Sequence, residues 1–161
     1  MNTMDNPQRF KNLRSQIQSY PRQSGNYYFD FKQRTNVTAE DDVAQLFAQL
    51  DLVTISSEDW IEYEASKEVA KNWLKNALIG GSEIGHTKNT IEPTKAEDFA
   101  QNFFLLFDSN AKYYTNQLKN KNDETLSNAF DHFGNRDHVY SYGVAIVDNK
   151  NIGIIWIVES D

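Results

Sequence analysis

Apolar residues recur every three or four positions along most of the chain, which is the spacing of helices that bury one face. The first such stretch begins at Pro7 and stops at Pro21. It predicts a surface helix whose inward residues are Phe10, Leu13, Ile17 and Tyr20.

Two more helices are predicted in the first half of the chain. Thr38 is suited to cap a short helix, since Glu40, Asp41 and Asp42 follow in the first turn, where the helix dipole favours anions. Ser57 is expected to begin a long helix that runs to about Ile79 and ends at Gly80 and Gly81. The predicted buried stripe of this long helix is Trp60, Tyr63, Ala70, Trp73, Leu74 and Ala77.

The most apolar helix is predicted from a capping box at Thr94 and Glu97 through Leu118. Five consecutive apolar residues, Phe103 to Phe107, make one of its turns apolar all round, so we expect this helix to be central. A last short helix is predicted from Thr125 to Phe133.

The clearest strand pattern lies at the C-terminus. Val139 to Val147 and Ile152 to Val158 are rich in β-branched and aromatic residues, and the four residues between them suit a hairpin connection. Shorter strands are predicted at residues 27–31 and 52–55. The sequence therefore predicts an α+β fold of about five helices around a central apolar helix, with a small antiparallel sheet built on the C-terminal hairpin.

Length and composition narrow the class of protein. At 161 residues, with 39% hydrophobic and 13% aromatic residues, the chain predicts a single globular domain over residues 1–161. Cysteine is absent, which excludes disulfides, thiolate nucleophiles and cysteine-based metal sites. The polar N-terminus and the short apolar runs predict a cytoplasmic protein that neither enters nor adsorbs to a membrane.

Charge is the feature that bears most directly on function. The formal net charge is −7, so direct binding to nucleic acid, which depends on cationic contacts to phosphates, is not expected. Residues 35–68 hold nine acidic residues and one basic residue. Glu58 with Glu62, and Glu64 with Glu68, would be like-charge pairs four residues apart on the long helix, each costing about 0.2–0.5 kcal/mol. Either a cationic partner or basic residues of the chain itself, such as those of the first helix, would offset this cost.

The first functional hypothesis is a small acidic protein that inhibits a basic partner protein. It would present carboxylates where a nuclease expects phosphates, as an immunity protein against a bacterial nuclease-type toxin or a phage-encoded inhibitor of a nucleic-acid-binding enzyme would do. The size and charge are similar to those of such proteins, although no motif identifies a family. The hypothesis requires neither catalysis nor a cofactor or metal. The candidate partner-binding residues are Asp51, Glu58, Glu62, Glu64 and Glu68, with Trp60 or Tyr63 as aromatic anchors.

A second hypothesis is an enzyme that uses Asp131, His132, Asp137 and His138 for metal binding or acid–base chemistry. Their spacing matches no known ligand pattern, and a solvated connection between a helix and a strand is the favoured interpretation. A third hypothesis is a structural homodimer joined through the outer face of the terminal hairpin at Ile155 or Ile157.

Overall fold

The structure is a computed structural model that describes residues 5–20, 26–52, 55–79, 91–116 and 140–159. Its helices are α1 (Asn6–Gln18), α2 (Ala39–Gln49), α3 (Ser57–Trp60), α4 (Lys67–Ile79) and α5 (Pro93–Phe104), and a 3-10 turn, Ile61–Tyr63, directly follows α3. Its strands are β1 (Asn26–Gln33), β2 (Glu64–Ala65), β3 (Lys112–Tyr114), β4 (Tyr140–Val147) and β5 (Asn151–Glu159). These elements confirm the α+β class. Each helix in these ranges falls short of the length and apolarity needed to span a bilayer.

The five strands form one antiparallel sheet in the order β1-β5-β4-β3-β2. The C-terminal hairpin, β4 and β5, lies in the middle, which confirms its role as the base of the sheet. Gly143 in β4 is required by this pairing, because a Cβ there would lie 2.3 Å from the Ile155 carbonyl oxygen.

Helices cover both faces of the sheet. On one face, α1, α4 and α5 pack against alternate hairpin residues that include Val144, Ile155 and Ile157. On the other face, α2 and α3 pack against residues that include Ala145 and Trp156. Because successive strand residues point to opposite faces, both hairpin strands are apolar on both faces over their middles. We call these the α1–α4–α5 layer and the α2–α3 layer.

This arrangement corrects the surface through which the homodimer was expected to form, while the homodimer itself stays a prediction. Ile155 and Ile157 have no solvent exposure and lie beneath the α1–α4–α5 layer. The hairpin therefore has no bare apolar face at these positions through which a second copy could dock.

Helix boundaries in the second half of the chain also differ from the prediction. Helix α5 starts after Glu92 with Pro93 in its first turn, so Thr94 is not the N-cap. It ends at Phe104 rather than Leu118, because Tyr113 and Tyr114 pair with β4 as part of β3. The centre of the fold is thus the hairpin and not an apolar helix. The predicted helix from Thr125 to Phe133 lies outside the described residues.

Candidate acidic docking surface

The predicted long helix from Ser57 to Ile79 is interrupted. Ser56, not Ser57, caps α3, its hydroxyl accepting a hydrogen bond from the Asp59 amide. The chain then makes the 3-10 turn and pairs as β2 with β3 before α4 begins at Lys67. The break occurs because two residues of this segment join the edge of the sheet, where they gain ladder hydrogen bonds. The like-charge argument for Glu64 and Glu68 therefore fails, since no continuous helix joins them.

The break separates the predicted acidic residues. Glu58 and Glu62 lie on and just after α3 and are exposed. Glu64 is half-buried in β2 opposite Tyr114, whose side chain packs in the α2–α3 layer. Glu68 instead lies in the first turn of α4 and lines a groove with Lys71 and Lys75 in the other layer. Asp51 is exposed after the end of α2, with a left-handed φ of 58°.

Two further acidic residues, each near the start of a helix, complete the surface around α3. Asp41, in the first turn of α2, and Asp59, in α3, are both exposed. A hydrogen bond from Ser57 is the largest of the effects that hold the pKa of Asp41 below its ordinary value. This bond joins the start of α2 to the start of α3. We call Asp41, Glu58, Asp59 and Glu62 the acidic surface.

Trp60 and Tyr63 are buried, which confirms their place in the predicted buried stripe. The same burial corrects the prediction that either residue anchors a partner. Trp60 has no exposed surface and contacts the rings of Phe47, Tyr63 and Tyr114, and Tyr63 is 5% exposed. Side chains packed in this way hold α3 on the sheet and are not available to a partner.

The apolar residue that sequence reasoning missed is Ile61. It is 49% exposed, next to Glu62 and one turn from Glu58. The sequence did indicate that Ile61 is exposed, because a residue directly after Trp60 and two before Tyr63 lies away from the buried face of a helix.

No basic side chain neutralises the acidic surface within the part of the chain that the structure describes. Ion pairs there join Arg34 to Asp42, Lys75 to Glu97, and Lys112 to Glu40. None includes Asp41, Glu58, Asp59 or Glu62, and the same holds for Asp51, Glu64 and Glu68. The basic residues of α1, which were one expected source of compensation, belong to the opposite layer.

Behind the acidic surface, a buried ion pair fixes the start of α2. Arg34 Nε lies 2.6 Å from the carboxylate of Asp42, whose side chain is 2% exposed. The other Asp42 oxygen accepts hydrogen bonds from the backbone amides of Thr35 and Asn36. Arg34 also donates to the carbonyl of Asp148 in the hairpin connection. These bonds tie the loop before α2 to the sheet, so the acidic surface rests on a rigid base.

The first turn of α2 is also tied to the sheet through Glu40. Its carboxylate accepts a hydrogen bond from the hydroxyl of buried Tyr114 and lies 3.8 Å from Lys112 Nζ. Burial, and then this carboxylate, raise the pKa of Tyr114 well above its ordinary value. Glu40 thus has a cation of the chain beside it, whereas none of the ion pairs in the described residues includes its neighbour Asp41.

The second hypothesis stays a prediction, because this geometry does not include its residues. No group of three or more His, Asp or Glu side chains that could hold a metal ion occurs in the described ranges. Asp131, His132, Asp137 and His138 lie outside those ranges. Comparison with protein-family models, with curated proteins and with solved structures finds no match.

Proposed function

We propose that this protein is a small acidic binding protein that inhibits a basic partner protein, as an immunity protein neutralises a nuclease-type toxin. One observation carries the proposal: four exposed carboxylates stand together on the α2–α3 layer without an ion-pair partner in the described residues. Such a surface attracts a cationic partner from a distance and orients it.

The layout of the surface suits protein binding. Ile61 offers an apolar contact, and carboxylates that flank it would form a charged rim. Since exposed ion pairs each contribute only about 0.2–1 kcal/mol, most of the charge effect is expected in the association rate, and Ile61 is expected to slow dissociation.

The basis for inhibition is the likeness of carboxylates to phosphates as ligands for Arg and Lys. A nuclease binds its substrate through cationic side chains, which also pair with carboxylates. A protein that covers those side chains with Glu58, Asp59 and Glu62 would exclude nucleic acid from them. In this proposal the protein inhibits the nuclease by covering the cationic side chains that bind nucleic acid.

The test compares two charge reversals of equal size on opposite layers. Wild type, Glu58→Lys/Glu62→Lys and, in the opposite layer, Glu68→Lys/Asp98→Lys are immobilised, and the basic proteins that each retains from the native host are identified, purified and assayed for nuclease activity. Only the α3 double variant is expected to lose the partner and the inhibition. Its association rate should fall at least tenfold, and the wild-type rate should fall steeply with salt.

Two results would contradict the proposal. In the first, Glu68→Lys/Asp98→Lys weakens capture as much as Glu58→Lys/Glu62→Lys. In the second, no purified basic partner associates faster at low salt, or none loses nuclease activity in the complex. Circular dichroism and thermal unfolding of all three proteins verify that the charge reversals leave the fold intact.

A further inference from the structure

The layer opposite the acidic surface carries a groove between α1 and α5. It has a volume of about 300 Å³ and is lined by three leucines, Leu13, Leu105 and Leu106, and by four polar or charged residues that include Arg9. Leu105 is 61% exposed, whereas Leu13 and Leu106 are buried. The leucines thus offer an apolar contact with a polar surround, which is the layout of a protein interface.

The two layers carry opposite charge. Helices α1, α4 and α5 hold seven basic and three acidic residues, a net charge of +4. Helices α2 and α3 with the 3-10 turn hold six acidic and no basic residues; Arg34 neutralises Asp42 and Lys112 lies beside Glu40, so the four residues of the acidic surface leave a net charge of −4. Each molecule therefore carries, on opposite faces of its sheet, surfaces that attract each other between copies.

The apolar features also complement each other. Ile61 projects from the acidic surface, and the groove beside Leu105 has room for a side chain of that size. With Ile61 in the groove, Glu58 or Glu62 of one copy would come near Arg9 of the other. Arg9 belongs to a helix with three basic and no acidic residues.

We propose that the protein self-associates head to tail, with Ile61 and its flanking carboxylates of one copy seated in the α1–α5 groove of the next. The occupant of the groove is thus a second copy of this chain. Such a contact uses two different surfaces and does not close on itself as a two-fold dimer does. It would also cover the acidic surface, so self-association and the proposed partner would compete.

The net charge of −7 opposes association at long range. At an ionic strength of about 0.15 M the Debye length is about 8 Å, so this repulsion is screened more than the short contacts between the two surfaces. Because the interface is small, its dissociation constant is expected at tens of micromolar. Self-association is therefore measured by sedimentation velocity at this ionic strength with about 300 µM protein, a concentration above that constant.

The experiment uses one variant on each side of the proposed contact. Wild type is expected to sediment as dimers and longer chains. Ile61→Asp and Leu105→Asp should each be monomeric, while their equimolar mixture should give a heterodimer, because each variant retains one intact surface. Val37→Asp is the matched control, since Val37 is 96% exposed and belongs to neither surface.

The outcomes separate this proposal from the proposed function. A monomeric wild type would overturn it, and so would a monomeric mixture of the two variants or loss of association in Val37→Asp. Leu105→Asp should still capture the basic partner, because its acidic surface is intact, whereas Ile61→Asp should weaken capture. Self-association can thus fail while partner capture persists, and the reverse.

Discussion

Both helix layers bury apolar side chains against the same hairpin, but they differ in how they treat charge. In the α1–α4–α5 layer, basic residues outnumber acidic ones, and the pair Lys75–Glu97 is 3.9 Å apart and mostly solvated. In the α2–α3 layer, one charge pair is buried at Arg34 and Asp42, and the acidic surface outside it has no counterions in the described residues. Net charge by itself therefore does not show where a binding surface lies, since the fold concentrates the acidic residues on one side of the sheet.

The largest expected effect distinguishes the buried pair from the solvated one. Arg34→Met should lower the free energy of unfolding by about 3–5 kcal/mol, because it leaves the Asp42 carboxylate buried without its cation. Lys75→Met, the matched change in the other layer, should cost less than about 1 kcal/mol. Urea unfolding of both variants measures the difference, and equal losses would contradict the distinction.

Two adjacent tyrosines on opposite faces give the next largest effect. Tyr114→Phe removes the hydrogen bond to Glu40 in the α2–α3 layer and should cost about 0.5–1.5 kcal/mol at neutral pH. Tyr113 stacks on Phe104 in the other layer at 5.2 Å, a contact that Tyr113→Phe preserves, so that change should cost less.

The same pair has a dependence on pH. The pKa of Tyr114 is raised by burial and then by Glu40, so its contribution to stability is complete below the unfolded pKa of about 10 and declines as pH rises above it. The pKa of Tyr113 is also raised by burial, but no carboxylate adds to that effect. Tyr114→Phe should therefore reduce the loss of stability at alkaline pH more than Tyr113→Phe does. Unfolding curves measured from pH 9 to 11 test this expectation, and an equal loss of stability with pH in the two variants would contradict it.

A smaller effect tests whether the break in the predicted helix separates Glu64 from Glu68. On a continuous helix their repulsion would be about 0.2–0.5 kcal/mol, and the double change to Gln would relieve it. Because the two residues lie in β2 and α4, the effects of Glu64→Gln and Glu68→Gln should add. A double-mutant cycle that finds repulsion of that size would contradict the break.

The smallest effect concerns the contact between α2 and α3. Removing its hydroxyl donor by Ser57→Ala should raise the pKa of Asp41 towards its ordinary value. Since the folded pKa is depressed, the stability linked to it is present above the unfolded pKa and is lost as pH falls through the folded one. NMR titration of the Asp41 carboxyl carbon measures the shift, and Glu68→Gln, in the other layer, should leave that titration unchanged.

The sequence by itself determined the features that depend on local order. The β-branched and aromatic residues of the two C-terminal runs predicted the hairpin, and the Thr38 hydroxyl predicted the start of α2, where it accepts a hydrogen bond from the Asp41 amide. The spacing of Trp60, Tyr63 and Trp73 established that these residues are buried, although not that they belong to different elements. Such patterns are readable because the chemistry involved lies within a few residues along the chain.

Only the tertiary structure decided which carboxylates share a surface. Pairing of β2 with β3 broke the predicted helix, moved Glu68 to the layer of lysines and brought Asp41 beside Ser57. It also replaced Trp60 by Ile61 as the exposed apolar residue of this segment. The physical reason is that ladder hydrogen bonds and sheet packing join residues that are distant in sequence, and they outweigh the weak helical preference of a few residues between Ile61 and Ser66.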